Sequence, residues 1–394
     1  MNAEQHVPPF RFKGFSDFWE QRKLSDLAMF NPRLELPDSF QYVDLESVSG
    51  TELINHRTET KSSAPSRAQR LAKKGDIFYQ TVRPYQKNNY LYEKSDDDYV
   101  FSTGYAQLRP YEDGYFLFSR LQENGFVSTV LDHSTGTSYP AINSNDLAKL
   151  EIMVPLNLNE QQAIGKLFRH IDNAIALHQH KLAKLKELKK GYLQKLFPQN
   201  GETVPEFRFK GYSDAWEKRK LGEVLLERNS RSGAKQLLSV TINQGVIKAE
   251  DSGRKDNSSS DLSNYKLVKV GDIPYNSMRM WQGASGYSCF EGIVSPAYTV
   301  LIPSTETDGL FLSYDIKRNK MLSVFQRHSQ GLTSDTWNLK YPQLSSIHVR
   351  VPKKNEQIQI RQALTKLDAL IAATQCKLDL LKKLKKGYLQ KMFC

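Results

Sequence analysis

Cysteine is nearly absent: Cys289, Cys376 and Cys394 are the only three in 394 residues, odd in number and far apart. Without a Cys-x-x-Cys pair, neither a disulfide framework nor a structural zinc site can organise the chain. No run of 18 apolar residues occurs, and the stretch from Met1 to Phe12 has no apolar signal-peptide core, so a cytoplasmic protein without a membrane segment is expected. Phosphate-cradling Gly-x-x-x-x-Gly-Lys-Ser/Thr is missing, as is a Gly-x-Gly-x-x-Gly following a strand, which leaves ATP and dinucleotide chemistry without a home. An Asn-Pro-Pro-aromatic segment, expected of an amino-methyltransferase, is also lacking; Asn31-Pro32-Arg33 does not qualify. The eight histidines supply no His-x-x-x-His pair.

What is present is basic and globular. Lys and Arg number 55 against 43 Asp and Glu, a net charge of +12 that suits an anionic partner. Apolar residues at 39% and charged residues at 25% fit a folded protein, and the length allows two domains.

The chain is one unit written twice. Phe10-Arg11-Phe12-Lys13-Gly14 returns as Phe207-Arg208-Phe209-Lys210-Gly211, and Trp19 with Arg22-Lys23-Leu24 returns as Trp216 with Arg219-Lys220-Leu221. Leu188 to Lys195 recurs without change as Leu384 to Lys391. The period, near 196 residues, is far longer than a solenoid repeat of about 20 to 50, so each copy is a domain plus an appended element.

That element is a long helix. In the first copy Ile164, Phe168, Ile171, Ile175, His178, Leu182 and Leu185 fall at steps of four and three, the spacing of a heptad seam. The second copy places Ile360, Leu364, Leu367, Ile371, Thr374, Leu378 and Leu381 at the matching positions. His178 and Thr374 are the polar interruptions, read as seam residues that fix register. A helix over 160–197 is about 57 Å long at 1.5 Å per residue. Two such helices separated by a compact domain are expected to pair antiparallel, giving a pseudo-two-fold repeat. Gly191 and Gly387 interrupt the helical pattern at about 1 kcal/mol each, for which close packing and a frayed last turn are both open explanations.

Within each copy the pattern predicts mixed α/β structure. Strands are expected at 42–45, 76–82, 99–108 and 150–154, and again at 272–278, 293–302 and 347–351. Short helices are expected at 115–123 and 310–321, and a polar loop at 252–263. Lysines crowd the ends of both long helices: six against one acid over 181–195, and six against one over 377–391. These suit a helix C-terminus, phosphate or a partner protein, and sequence does not choose among them.

The sharpest local signal follows a shared Gly-Asp-Ile. The first copy continues from Gly75 through Tyr79, Arg83, Tyr85, Gln86 and Lys87, the second from Gly271 through Tyr275, Asn276, Arg279, Trp281 and Gln282. A strand feeding a loop with Arg, an aromatic and an amide suits base edges, because Arg pairs bidentately with guanine and Gln or Asn with adenine. Arg83, Gln86, Arg279 and Gln282 are therefore candidate base contacts, and Lys87 a candidate phosphate contact that Gly283 does not replace. Tyr79 and Tyr275 fit DNA contact or the core. Pro274 places its strand at a sheet edge. Between the copies, 25–70 and 222–266 share almost nothing while the flanks and helices repeat, as in two readers of different targets on one frame.

A rival enzyme reading exists in Pro37-Asp38 with Glu59-Thr60-Lys61, the spacing of many Mg2+-dependent nucleases, though the second copy has no equivalent. A coiled-coil scaffold that binds only proteins is the other alternative.

Two variable domains opening near Trp19 and Trp216, each with Gly-Asp-Ile, then Val154-Pro155 and Glu160-Gln161 (or Val351-Pro352 and Glu356-Gln357) ahead of a Lys-rich heptad helix, resemble the specificity subunit of type I restriction-modification systems. The resemblance implies α/β (mixed) target recognition domains at 1–155 and 199–351, separated by an antiparallel two-helix coiled coil of conserved spacer helices at 156–198 and 352–394. It also implies a non-catalytic chain that binds double-stranded DNA at a bipartite, asymmetric site and docks two methyltransferase (modification) subunits, with restriction/translocase subunits joining through the complex. S-adenosylmethionine, ATP and Mg2+ then belong to partner subunits, with none on this chain.

Overall fold

The computed structural model describes residues 7–199, 201–253, 258 and 261–393. It divides into two compact units, one of Met1–His180 with Gln375–Cys394 and the other of Lys181–Thr374. Each unit therefore combines one globular domain with the start of one long helix and the end of the other. The first long helix spans Leu158–Lys195 and the second Lys354–Met392.

In the first unit, Trp19–Lys23 pairs antiparallel with Glu151–Pro155, joining the ends of the domain beneath the helix start. Two four-stranded sheets follow. In one the order is Ala28–Phe30, Tyr105–Pro110, Ile77–Gln80, Tyr90–Leu91, all antiparallel. The other runs Arg57–Thr60, Ser39–Val43, Tyr99–Ser102, Ala68–Leu71, with its central pair parallel. The strand expected over 99–108 is thus two, broken at Thr103-Gly104 so that one half enters each sheet. Phe78 and Phe101 stack at 3.6 Å between the sheets, and both are fully buried.

The second unit keeps the frame and changes the filling. Glu217–Lys220 pairs with His348–Val351, and Leu225–Glu227, Tyr298–Pro303 and Ile273–Asn276 form the counterpart sheet. Pro274 lies on the edge strand of that sheet, where a missing N–H is tolerated. Elsewhere among the described residues of this unit Leu238–Thr241 pairs with Gly245–Lys248 and Lys266–Val268 with Gly292–Val294, and a bridge between Leu237 and Ile293 joins the two pairs. The divergence between 25–70 and 222–266 is therefore architectural. The polar loop expected over 252–263 lies in part outside the described residues.

Helices Gly114–Leu121 and Gly309–Ile316 start alike: the Asp113 carboxylate accepts the Phe116 N–H at 2.7 Å, and Asp308 accepts that of Phe311 at 2.9 Å. The pattern over 310–321 breaks into Gly309–Ile316 and Asn319–His328, with Arg318 extended between them and donating to Asp315.

The repeated motifs find one another. Arg11 grips the wholly buried Glu160 carboxylate with Nε and Nη2 at 2.5 and 2.6 Å, and Arg208 grips Glu356 with both bonds at 2.8 Å. Next to each, Gln161 donates to the Pro155 carbonyl at 3.1 Å and Gln357 to that of Pro352 at 2.8 Å, fastening the helix start to the preceding strand. The short Arg motif and the Glu-Gln pair are thus two halves of one buried joint.

Inside each unit the helix segments run antiparallel. Phe168 stacks on Phe393 at 5.6 Å while Asp172, one turn on, meets Lys385, two turns back. In the second unit Lys189 meets Asp368, and Phe197 shares a core with Ile360 and Leu364. The seam points inward: Ile164, Phe168, Ile171, Leu182, Ile360, Leu364, Leu367, Thr374 and Leu378 are buried, and Ile175, His178, Leu185, Ile371 and Leu381 half-buried. Both polar seam residues satisfy themselves within their own helix. His178 Nδ1 lies 2.8 Å from the Ala174 carbonyl, and the Thr374 hydroxyl donates to Leu370 at 2.7 Å. Nothing packs where a Cβ would stand on Gly191 or Gly387, so close helix contact does not explain them.

Candidate nucleic-acid interface

The Gly-Asp-Ile segment is a brace. Asp76 and Asp272 are buried, and each accepts the backbone N–H three residues earlier, Lys73 at 2.8 Å and Lys269 at 2.7 Å. Each also takes a bidentate arginine, but from different places. Arg109 comes from the neighbouring strand Tyr105–Pro110, and Arg228 follows the strand Leu225–Glu227. The same carboxylate thus anchors the same strand although the partner has moved.

Tyr79 and Tyr275 belong to the core rather than the surface, which corrects their assignment to DNA contact. Both are fully buried; Tyr79 packs edge-on against Phe126, and Tyr275 donates to the Leu339 carbonyl at 3.0 Å. All four residues of Ile77–Gln80 are buried, so this strand has no exposed face. Burial pushes both phenols well above their usual range.

The loops beyond these strands do reach the surface. Pro84–Gln86 and Met280–Gln282 each form a 3-10 turn closed by a left-handed residue, Lys87 at φ 55° and Gly283 at φ 87°. A left-handed residue ends the turn in both copies, which accounts for glycine in the place of lysine. Arg83 is left-handed as well, at φ 55°. Tyr85 and Gln86 are exposed, and the Gln86 side-chain oxygen accepts from Gln80 at 2.9 Å. The Lys87 ammonium is turned inward onto the Gln122 carbonyl at 2.8 Å and Asn124 at 2.6 Å, and burial lowers its pKa. This inward brace is a structural role, distinct from the phosphate contact expected of it. In the second unit Arg279 is exposed and donates to Gln282 at 3.1 Å, while the half-buried Trp281 donates to the Met278 carbonyl at 3.1 Å. Asn276 is occupied locally, accepting the Met278 N–H at 3.0 Å.

A second segment, beyond the sequence-derived candidates, completes each surface. Thr135 and Ala141 pair across a hairpin, as do Gln330 and Asn338, with exchanged backbone bonds of 2.8–2.9 Å. The hairpins attach to the same point of the frame: Ile142 N–H donates to the Thr81 carbonyl at 3.0 Å, and Leu339 N–H to that of Ser277 at 2.8 Å. Each brings an aromatic over the reading loop. The Arg83 guanidinium lies 4.6 Å from the Tyr139 ring centroid, and Trp281 meets Trp337 edge-on at 5.1 Å. The available signal is His133-Ser134-x-Gly136 echoed by His328-Ser329-x-Gly331.

The nuclease constellation does not assemble. Arg57 holds Glu59 at 2.9 Å and Asp44 at 2.8 Å, and Lys61 pairs with Glu35 at 3.5 Å, so Glu59 is neutralised by a guanidinium where a metal would need a free carboxylate. No helix among the described residues is long and apolar enough to cross a membrane.

Two stretches, 17–187 and 213–383, match the family model described as the type I restriction modification DNA specificity domain. The chain belongs to this family. The matches coincide with the two copies, one specificity domain in each. Among curated relatives, the type I restriction enzyme HindI specificity subunit of Haemophilus influenzae is 24% identical over 170 residues, covering 41% of this chain and 36% of that one. A putative type I restriction enzyme MjaX specificity subunit of Methanocaldococcus jannaschii is 23% identical over 147 residues, covering 35% and 34%. The matched region is thus about a third of the length of these relatives. Among solved structures, a type I restriction-modification S subunit from M. genitalium aligns over 99% of both chains with a TM-score of 0.65 at 16% identity. A chain from a study of complex assembly and conformational transition of the type I R-M system aligns over 95% of this chain and 97% of its own, with a TM-score of 0.52 at 20% identity. At these identities the likeness is one of fold, and it extends over both domains and both helices.

Proposed function

We propose that the chain is the DNA-recognition subunit of a type I restriction-modification assembly. Each unit reads one half of a bipartite duplex target, the halves differ in sequence, and the paired long helices set the unread spacer. Two methyltransferase subunits dock on this chain, and restriction and translocase subunits join through the complex. S-adenosylmethionine, ATP and Mg2+ are held by those cytoplasmic partners, and this chain contributes selection rather than catalysis.

One observation carries the reading. The same loop and hairpin project from the same braced strand in both units, yet they present Arg83, Tyr85, Gln86 and Tyr139 in one and Arg279, Trp281, Gln282 and Trp337 in the other. Guanidinium and amide groups read base edges, and aromatics add contact area and fix the guanidinium. A constant frame that keeps one arginine and one amide, exchanges the aromatics around them and sits on domains with different remaining strands suits two unlike half-sites.

The test is a selection from randomised duplexes by the purified chain together with its methyltransferase. Two short, unlike blocks separated by a fixed gap are expected. Retention without sequence preference would overturn the reading in favour of a protein scaffold, and Mg2+-dependent cutting by the chain alone in favour of a nuclease.

A further inference from the structure

We propose that a basic groove at the end of the first long helix, in the second unit, seats the sugar-phosphate backbone of the bound duplex. The proposal rests on the DNA-recognition reading and assigns to the Lys-rich helix end a contact that the reading loops do not make.

The groove encloses about 500 Å3 between the helix and the turn joining Gly309–Ile316 to Asn319–His328. Lys186, Lys189 and Lys190 line it from the helix, and Lys317, Arg318 and Lys320 from the turn. One carboxylate faces these six cations, Asp368, and it is already engaged by Lys189 at 2.5 Å and by the Tyr314 hydroxyl at 2.6 Å. Arg318 is paired with Asp315 behind the groove. The remaining four have no ion pair among the described residues. Lys317 reaches only the Ile242 carbonyl at 3.2 Å, Lys320 only that of Pro198 at 3.5 Å, and Lys186 and Lys190 are exposed.

A solvated lysine face would spread its charges over a convex surface. Here four ammonium groups without an ion pair line a concavity, where a bound anion lowers their mutual repulsion. Burial and the neighbouring Lys189 both disfavour the charged form of Lys317, in keeping with an arrangement whose counter-charge arrives from outside. The groove is also tied to the reading surface: the Asn319–His328 helix that begins at its edge packs against the Met280–Gln282 turn, with Leu322 beneath Gly283. The groove is particular to the second unit: the matching turn of the first carries Gln122, Glu123 and Asn124 where the second has Lys317, Arg318 and Asn319, and Lys385, the copy of Lys189, is paired with Asp172. A duplex backbone supplies a row of phosphates, and the row of lysines in this groove matches it.

The full chain is compared with Lys190→Gln/Lys317→Gln/Lys320→Gln, the charge-retaining arginine triple, and a control triple at exposed lysines elsewhere in the unit, Lys210→Gln/Lys218→Gln/Lys269→Gln. Binding to target and unrelated duplexes is measured from 0.05 to 0.3 M salt. Neutralising the groove is expected to weaken both duplexes alike, by about 100- to 1000-fold at 0.1 M salt, and to lower the log–log salt slope by about 2 to 3, since each phosphate contact contributes about 0.9. The arginine triple should restore the slope, and the control should leave it within about one contact of wild type. A slope unchanged by the groove triple, with selective binding intact, overturns the groove alone. Lost methyltransferase binding at unchanged DNA affinity overturns it too and makes the groove a protein dock. A wild-type chain that selects no sequence overturns the DNA-recognition reading itself.

Discussion

Asp172 and Lys385, 2.6 Å apart, join the two long helices inside the first unit, and the Tyr115 hydroxyl donates to the same carboxylate at 3.0 Å. Asp368 repeats the arrangement in the second unit with Lys189 and Tyr314. A partly buried carboxylate between an ammonium and a phenol leaves both stranded when it is removed. Asp172→Ala is expected to destabilise the chain by about 2 to 3 kcal/mol, and Asp172→Asn by less, because the amide oxygen still accepts from Tyr115. Urea denaturation of the three proteins measures this; equal stability of alanine variant and wild type would mean the pair is incidental.

The buried joint between Arg208 and Glu356 predicts a larger loss. The Glu356 carboxylate is almost fully buried, and Glu356→Ala leaves a guanidinium without its partner where solvent barely reaches. Breaking such a pair costs about 3 to 5 kcal/mol, so the melting transition should fall by about 2 to 4 °C for each kcal/mol lost in a unit of this size. Glu356→Ala/Arg208→Met should recover much of the loss, because no unpaired charge remains. A double variant no better than the single would show that the helix start depends on the joint in some other way.

Exchange of tips predicts independent half-sites. Arg279→Ala should relax one base position in the half-site read by the second unit, at about 1 to 3 kcal/mol, and leave the other half unchanged. Trp337→Ala removes the edge-on partner of Trp281 and should weaken the same half. Arg83→Ala and Tyr139→Ala should act on the opposite half-site. A selection on each variant reports this directly, and loss spread evenly over all sequences would reduce these residues to positioning the backbone.

The parts of the fold that were legible in the sequence are those in which one interaction dominates. Heptad spacing exposed both long helices, and duplication exposed the frame. The joint was visible only as two unconnected motifs, because Arg11 and Glu160 lie about 150 residues apart and nothing local links them. Tyr79 and Tyr275 stay open between DNA contact and core in the sequence because a strand buried on both faces has lost the alternation that separates inward from outward residues. The aromatic hairpins escaped notice for the opposite reason: their frame is four residues long, and the tips that matter are the ones that differ. Lys87 shows the limit of residue type as a guide, since a lysine in a reading loop can spend its donors on the fold beneath.

The role given to the helices predicts a change in spacing. Removing residues 175–181 and 371–377 deletes one heptad from each and keeps the seam in phase. Each helix shortens by about 10.5 Å, close to three base pairs of duplex. The selected spacer should contract by about that amount while both half-sites persist, and an unchanged gap would rule out the helices as the spacer.

Lys317 gives a pH prediction whose sign is fixed. Burial, and after it Lys189, lowers its pKa in the fold below the 10.5 of a free lysine. Lys186, Lys190, Arg318 and Lys320 add positive charge around it, and Asp368 is the single acid lining the groove. Between the lowered value and 10.5 the unfolded chain binds more protons than the native one, so stability gains from this group as pH rises through that window. Below that window the ammonium is charged in both states, and holding it in the groove costs stability. Lys317→Met should therefore be more stable than wild type near neutrality, and the gap should narrow as pH approaches 10. Bound duplex should reverse the trend, because phosphate favours the charged form and stabilises the lysine protein more. Denaturation from pH 7 to 10, with and without duplex, decides it; a gap that ignores pH would mean that Lys317 is solvated and that its groove carries no unmet charge.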